Sequence, residues 1–345
     1  MMRDTAIAAA TEGVERGWLP DAMVRWGIRQ LCARRLAEPR RDLLQFIDGL
    51  RDTEIAPCAA AANAQHYELP PECFERMLGP RLKYSACWWG RDDIRTLADA
   101  EDAALALTAA HAGVEDGMQI LELGCGWGSL TLWMAERYPR ARIVALSNSA
   151  SQRGFIEARA RQIGVANVSV ITADMNTFDT EARFDRIVSV EMFEHMRNYH
   201  ALLAKVRRWL DACGRLFVHV FCHHSIAYPF DTDGASNWMG RHFFTGGLMP
   251  SAQLLPKVPS PFEVEEQWAW DGTHYQRTAE AWLRNVDERR DELALMFART
   301  YGRADAPRWL QRWRVFLMAC AELFGYRGGT EWGVAHYRFA PAEGS

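Results

Sequence analysis

The chain has 345 residues, 49% hydrophobic and 24% charged, which suits a globular protein with a full core. Its net charge of −4 argues against nucleic-acid binding, because phosphate backbones are held chiefly by Lys and Arg. The eight cysteines are scattered, and neither a membrane-length apolar run nor a secretory leader occurs. We therefore expect a cytoplasmic protein with reduced thiols, no nucleic-acid partner, no stable membrane span and no metal.

Residues 1–78 carry apolar side chains at three- and four-residue steps, which predicts a helical N-terminal region. An aromatic-rich stretch, Leu82–Trp89, follows and precedes a predicted helix over Leu97–Ala110. This stretch fits either a hydrophobic elbow between the two regions or a lid over a cofactor. In a lid, the hydroxyls of Tyr84 and Ser85 would bind the ligand.

The most informative stretch is Ile120–Gly128, where an apolar run leads into three glycines at alternate positions and an amphipathic segment follows. This pattern predicts a strand, a tight turn and a helix. The glycines Gly124, Gly126 and Gly128 would let the backbone approach a ligand closely. An acidic residue two positions earlier, here Glu122, is typical of S-adenosylmethionine (SAM) methyltransferases, so the loop resembles theirs. The alternative is a structural turn that only requires positive φ.

Strands and helices alternate after this loop, over Arg142–Leu146, Ser149–Ile163, Val168–Ile171, Phe184–Val190, Tyr199–Leu210 and Gly214–Val220. Such repeats imply parallel strands, right-handed crossovers and a ligand at the carboxyl ends of the strands. The fold class is therefore α/β, with a Rossmann-like core over residues 79–222. Residues at these strand ends are expected to contact the cofactor, namely Ser147, Asn148, Gln152, Asp174, Met175 and Val190.

Residues 223–330 interrupt the alternation with a Gly/Pro/aromatic segment and two predicted helices, around Ala279–Tyr301 and Pro307–Phe324. We expect this mainly helical insertion to cover the substrate pocket. The segment Gly333–Phe339 alternates apolar and polar residues, so that residues 331–345 would add a final strand to the core sheet.

A second candidate site lies in Val190–Met196, directly after a predicted core strand. A helix that begins near Glu191 would place Glu191, Glu194 and His195 on one face. Two carboxylates and an imidazole beside a cofactor can remove a proton from an amine. The alternative is that acidic residues merely stabilise a helix start. His219, in an apolar strand, is either a core histidine or a site residue.

These segments resemble the cyclopropane-fatty-acyl-phospholipid synthase superfamily, and within it the coclaurine N-methyltransferase-like branch. The motifs that carry the resemblance are Tyr84-Ser85, LELGCGWG (121–128), LSNSASQ (146–152), VEMFEHM (190–196), FFTGGLMPSAQLL (243–255), GTHYQRTAEAW (272–282), AELFGY (321–326) and TEW (330–332). The resemblance implies a class I SAM-dependent methyltransferase core, with SAM contacts at Tyr84, Ser85, Gly124, Gln152 and Asp174.

The resemblance also separates two activities. In the N-methyltransferases, Glu191, Glu194 and His195 would handle the amine, with Glu194 and His195 as base and orienting partner and Glu191 holding the ammonium. Cyclopropane synthases usually carry glycine at position 191 and use bicarbonate, held by groups that would correspond to Glu194, His219 and Tyr275.

We therefore expect N-methylation of a small aromatic or cyclic amine. The alternatives are methyl or methylene transfer to unsaturated lipid acyl chains and, more remotely, a non-catalytic SAM-binding protein. The chain could form a homodimer.

Overall fold

The computed structural model describes residues 2–58, 69–234 and 236–342. Its strands are β1 (Gln119–Leu123), β2 (Arg142–Ser147), β3 (Val168–Thr172), β4 (Phe184–Val190), β5 (Leu210–His223), β6 (Tyr228–Pro229), β7 (Leu248–Met249), β8 (Phe262–Asp271) and β9 (Trp332–Pro341). Within the described residues they form a seven-stranded sheet, in the order β3-β2-β1-β4-β5-β9-β8, and a small β6-β7 pair. Strands β1 to β5 are parallel, whereas β9 runs antiparallel to β5 and β8.

Helices cover both the sheet and its carboxyl edge. They are α1 (Met2–Glu15), α2 (Asp21–Ala37), α3 (Leu43–Asp48), α4 (Pro71–Met77), α5 (Leu97–Ala112), α6 (Ser129–Arg137), α7 (Ala150–Ile163), α8 (Tyr199–Trp209), α9 (Trp238–His242), α10 (Leu254–Lys257), α11 (Gly272–Glu288), α12 (Arg290–Tyr301) and α13 (Ala306–Phe324). None of those in the described part of the chain is both long and apolar enough to cross a membrane.

The core sheet forms where the sequence is apolar on both faces of a strand. Ile120, Leu121 and Leu123 of β1 are fully buried, as expected for a central parallel strand between two helical layers. Helix α5 begins at a capping box in which Thr96 and Asp99 satisfy each other's backbone N–H groups. It ends at Gly113, whose φ of 64° suits glycine. Helix α5 is followed by β1, and the glycine turn follows the last residue of β1, at the carboxyl edge of the sheet.

The N-terminal helices pack against the helices that follow β8. Arg314 of α13 forms ion pairs with Asp21 and Asp287, and its side chain is only 10% exposed. Arg25 of α2 likewise bonds to Glu280 and Glu322. The predicted helical character of residues 1–78 agrees with α1 to α4, although residues 59–68 lie outside the described residues.

The structure differs from the sequence predictions in two places within residues 223–330. Strand β8 was not predicted, because its alternation is broken by a run of polar residues, yet it pairs with β9 at the edge of the central sheet. The single helix predicted over Ala279–Tyr301 is interrupted at Arg289, whose φ and ψ of −110° and 25° are not helical. Part of this segment therefore belongs to the core sheet rather than to a separate insertion.

Candidate active site

The glycine turn after β1 has the backbone geometry that its sequence requires. Gly124, Gly126 and Gly128 all have positive φ, at 79°, 52° and 80°. A Cβ atom on Gly128 would lie 2.7 Å from Cγ1 of Ile156, whereas one on Gly126 would meet no protein atom within 4 Å. The turn is thus packed against α7 on one side and open to a cavity at Gly126.

The predicted cofactor residues gather around this cavity. Ten of the twelve line it, namely Tyr84, Ser85, Glu122, Gly124, Gly126, Ser147, Asn148, Gln152, Met175 and Val190. Gly128 and Asp174 do not. Gly128 caps α6 and packs on Ile156, and the exposed Asp174 accepts a hydrogen bond from the Asn176 backbone N–H. The Asp174 carboxylate therefore stabilises its own turn beside the cavity.

The carboxyl of Glu122 is buried beneath the glycine turn. It accepts a hydrogen bond from the Thr131 hydroxyl of α6, and the residue is 3% exposed. Burial raises the pKa of Glu122 to about 8, which the Thr131 hydrogen bond only partly offsets. Glu122 therefore ties the end of β1 to the first turn of α6 and fixes the loop between them.

Several polar atoms on the cavity wall are suited to hold a cofactor. The indole Nε1 of Trp127, the hydroxyl of Ser129 and Nε2 of Gln152 are buried and have no hydrogen-bond partner among the described residues. Gln152 is fixed at its other end, because its Oε1 accepts from the Ser147 hydroxyl at 2.6 Å. Buried donors without partners are costly, and all three belong to residues that line the cavity, which makes them candidates to bind a polar ligand. The donor set fits the amino-acid and nucleoside parts of SAM.

Glu191 lies on the same wall, at the centre of a hydrogen-bonded cluster. Its Oε1 accepts from the Ala86 backbone N–H at 2.9 Å and lies 3.2 Å from Nε2 of His219. Its Oε2 accepts from the Tyr275 hydroxyl at 2.7 Å. Burial raises the pKa of Glu191, while the nearby Lys83 ammonium and these hydrogen bonds lower it. A carboxylate held in this way can act as a base nearer to neutral pH than an exposed Glu.

The helix predicted from Glu191 onward is not formed. Glu191 has a φ of 48°, in the left-handed region that a non-glycine residue adopts only at a cost. Only Phe193–His195 form a short 3₁₀ turn after it. Glu191, Glu194 and His195 therefore do not share a helix face. Glu191 and His195 line the cavity, whereas Glu194 does not.

Glu194 points away from the cavity. It is fully buried, and its Oε1 accepts from the Phe221 backbone N–H at 2.7 Å. Burial, together with the negative charge of Glu191, raises its pKa well above 4.5. Because Glu194 is not among the residues that line the cavity, the structure does not place its carboxyl where it could accept a proton from a substrate there.

His195 does line the cavity, where its ring stacks on Phe244 at 4.7 Å between centroids. Burial lowers its pKa to about 4, despite the opposing charge of Glu191. The imidazole is therefore neutral at pH 7 and can accept a hydrogen bond or a proton.

Lys83 is a site residue that the sequence reasoning missed. Its ammonium is buried and donates to the Ser85 hydroxyl at 2.6 Å and to the Ala86 carbonyl at 2.7 Å. It thereby orders the segment that presents Ser85 to the cavity and the Ala86 N–H to Glu191. Its position next to Tyr84-Ser85 was the only signal in the sequence.

Comparisons with known proteins agree with this geometry. The profile of the mycolic acid cyclopropane synthetase family matches residues 57–329. The (S)-coclaurine N-methyltransferase of Thalictrum flavum subsp. glaucum is 36% identical over 338 residues, covering 94% of this chain and 93% of that protein. The crystal structure of coclaurine N-methyltransferase bound to N-methylheliamine and SAH matches with a TM-score of 0.93 at 34% identity, covering 97% of this chain and 99% of that one. The cyclopropane-fatty-acyl-phospholipid synthase of Escherichia coli (strain K12) is 30% identical over 276 residues, or 79% of this chain and 67% of that protein.

A glycine-turn cavity at the carboxyl edge of a doubly wound sheet is the arrangement of a class I SAM-dependent methyltransferase. Because the family profile covers most of the chain, the protein belongs to the mycolic acid cyclopropane synthetase family. The predicted fold class, enzyme class and SAM cofactor are confirmed.

Proposed function

We propose that the protein transfers the methyl group of SAM to the nitrogen of a small aromatic or cyclic amine. The observation that carries this proposal is the Glu191 carboxylate on the wall of the cofactor cavity, where the Ala86 N–H and the Tyr275 hydroxyl donate to it and Nε2 of His219 lies 3.2 Å away. An amine is protonated at neutral pH and must lose a proton before its nitrogen can attack a methyl group. A fixed base within the cavity meets that requirement.

The relatives support an amine rather than a lipid. The two named as coclaurine N-methyltransferases each align over more than nine-tenths of this chain, and one is bound to N-methylheliamine. The lipid-modifying relative is less similar and aligns over a smaller share of the chain. The cavity also has sulfur-containing and aromatic surfaces suited to a flat ring, at Met192, Met196 and His195.

The cofactor would be held by Tyr84, Ser85, Trp127, Ser129 and Gln152, together with the backbone of the glycine turn. When bound, SAM supplies an electrophilic methyl group on a positively charged sulfur. The open space at Gly126 lets the backbone approach the cofactor closely, and Trp127 and Gln152 each have a buried N–H donor without a partner among the described residues.

Glu191 would attract the substrate ammonium, accept its proton and leave a neutral nitrogen with a free lone pair. His195, neutral because burial lowers its pKa to about 4, would accept a hydrogen bond and orient that nitrogen. His219 and Tyr275 would keep the Glu191 carboxylate in place through their hydrogen bonds. Positioning of this kind can supply roughly 7–11 kcal/mol and a tuned base roughly 10²–10⁴-fold in rate.

Lipid cyclopropanation through bicarbonate is the competing function, and the Glu191 contacts argue against it. The His219 imidazole and the Tyr275 hydroxyl, two groups that would correspond to the bicarbonate site, both contact the Glu191 carboxylate. A protein carboxylate thus takes the place of an external anion. A homodimer and a cytoplasmic location stay predictions, of which light scattering on the purified protein would test the first.

Transfer of an isotopically labelled methyl group from SAM tests the proposal directly. The purified protein is offered a panel of tetrahydroisoquinolines and phenethylamines and, in parallel, vesicles of unsaturated phospholipid with added bicarbonate. We expect label on the nitrogen of at least one amine and none in lipid, and the Glu191→Gln variant is the matched control. Label in lipid alone would overturn the proposal.

A further inference from the structure

Three histidines connect the Glu191 carboxylate, across strands β5 and β9, to the last turn of α5. Nδ1 of His219 lies 2.8 Å from Nε2 of His336, and Nδ1 of His336 lies 2.8 Å from Nδ1 of His111. His219 and His336 face each other across strands β5 and β9, where they are paired in register. Both are fully buried, whereas His111, in the last turn of α5, is half-buried.

The three rings are held in place by aromatic neighbours. Trp270 contacts both His219 and His336, with centroids 5.5 and 4.4 Å away. Trp268 stacks on His111 at 3.9 Å with an angle of 2° between the rings. Tightly packed rings do not turn over easily, so the nitrogen atoms that face each other are fixed by the fold.

Each nitrogen-to-nitrogen contact needs one proton, since one ring must donate and the other accept. If His111 donates from Nδ1, His336 must carry its proton on Nε2, and His219 must then carry its own on Nε2. That proton points at Glu191, 3.2 Å away. The reverse order would place the His219 proton on Nδ1 and would require a protonated Glu191 as donor to Nε2. The chain therefore has two arrangements, and only the first suits an ionised Glu191.

We propose that His336, supported by His111, is a positioning residue that holds His219 in the Nε2–H tautomer, so that His219 donates to Glu191 and keeps its carboxylate ionised and in place. Its catalytic meaning rests on the proposed function, in which Glu191 accepts the substrate proton. The tautomer itself is a property of the folded protein and is independent of any substrate.

The surrounding charges agree with this arrangement. Burial lowers the pKa of His219 and of His336 well below 6.5, so each carries a single ring proton at neutral pH. Burial lowers the pKa of Lys83, and the positive charge of its protonated form favours an ionised Glu191. The other ionisable groups that interact with Glu191 are Cys87, Glu194, His195, Tyr275 and Cys320.

At the outer end, burial lowers the pKa of His111, the Arg338 guanidinium lowers it further, and the Glu266 carboxylate raises it. The Arg338 guanidinium also donates to the His111 carbonyl. These two groups on β9 and β8, with Trp268, are the neighbours that would set the state of His111.

Nitrogen-15 NMR of the histidine rings tests the tautomer directly. The protein is labelled at histidine, and the His219 signals are assigned by their loss in His219→Asn. We expect His219 of the unsubstituted protein to be the Nε2–H tautomer. In His336→Leu, which removes the donor, it should become a mixture of tautomers, whereas His336→Gln keeps an N–H donor and should preserve the Nε2–H form. An Nδ1–H tautomer, or signals unchanged in His336→Leu, would overturn the proposal.

A pH profile of kcat on the amine substrate adds a functional readout. We expect the acidic limb of His336→Leu to move about one pH unit upward, since a hydrogen bond to a charged group is worth about one pKa unit or more. His336→Gln should restore the original limb. If kcat of His336→Leu falls but the acidic limb of its pH profile does not move, His336 only supports the fold and the proposal fails. If no amine is methylated, the proposed function fails, but the NMR experiment still determines the tautomer of His219. The two proposals can therefore fail independently.

Discussion

The cofactor half of the cavity and the base cluster are built from the sequence in different ways. The cofactor half is centred on one short segment, in which Glu122 and the three glycines up to Gly128 set the backbone, and side chains from other segments, such as Ser85 and Gln152, complete it. The base cluster joins four distant positions, at Ala86, Glu191, His219 and Tyr275. The first half depends on local backbone conformation, and the second depends on side chains that only the complete fold brings together.

This difference implies that substitutions in the two halves should affect different steps of the reaction. A change in the glycine turn should weaken cofactor binding, because it alters the surface that contacts SAM. A change in the base cluster should leave that surface intact and lower the rate of methyl transfer. The predictions below use this contrast, beginning with the largest effect.

Glu191→Gln should reduce kcat about 1,000-fold, because an amide cannot accept the substrate proton and a positioned base contributes roughly 10²–10⁴-fold. Steady-state kinetics with an accepted amine measures the loss, and calorimetry with SAH checks that cofactor affinity is nearly unchanged. The matched control is Glu194→Gln, which replaces a buried carboxyl that does not line the cavity. A loss in Glu194→Gln as large as that in Glu191→Gln would show that the base has been assigned to the wrong residue.

Gly126→Ala should weaken SAH binding about tenfold, or about 1.4 kcal/mol, because the new Cβ atom would project into the cavity where the backbone approaches the cofactor. Its left-handed φ would also cost the folded protein about 1–2 kcal/mol. Isothermal titration calorimetry measures the change. Gly164→Ala is the control: its φ is 77°, its Cβ would also meet nothing within 4 Å, and it lies at the end of α7, off the cavity wall. Equal losses of affinity in both variants would point to general destabilisation instead of a local effect on the cofactor.

The smallest effect concerns pH. Because burial raises the pKa of Glu191, its proton is lost at a pH above 4.5, the ordinary value for Glu. An acid with a raised pKa is protonated, and inactive as a base, below that value. We therefore expect kcat to fall as the pH decreases through a midpoint above 4.5, and this limb should be missing in Glu191→Gln. If the acidic limb of the kcat profile persists unchanged in Glu191→Gln, the titrating group is a residue other than Glu191.

Much of the fold could be predicted from periodicity. Strands β1 to β5 and helices α7 and α8 lie within a few residues of their predicted bounds, because parallel strands buried on both faces are apolar throughout. Strand β8 could not be found in this way. It lies at the sheet edge, and its residues from Glu263 to Gln267 are all exposed and, apart from Val264, polar.

The site shows the same limit. Sequence patterns pointed to Glu191, Glu194 and His195 and left His219 open between a core and a site role, and resemblance added Tyr275. No pattern indicated that Glu194 turns inward toward Phe221. That orientation follows from the positive φ at Glu191, which a residue-by-residue pattern does not reveal. Lys83 and His336 were missed for a similar reason, since a single Lys or His carries no spacing signal.

The central claim is that the Glu191 carboxylate stands where an external anion would otherwise be held, and replacing it with glycine tests this most directly. Glycine suits the φ of 48° at this position, so Glu191→Gly should fold normally and leave the Ala86 N–H, His219 and Tyr275 facing an open site. We predict that Glu191→Gly loses amine methylation and that added formate or bicarbonate restores it at least about tenfold, through general-base catalysis by the bound anion. Glu191→Leu, which fills the site with an apolar side chain, should not respond. Unimpaired methylation by Glu191→Gly without any added anion would contradict the account.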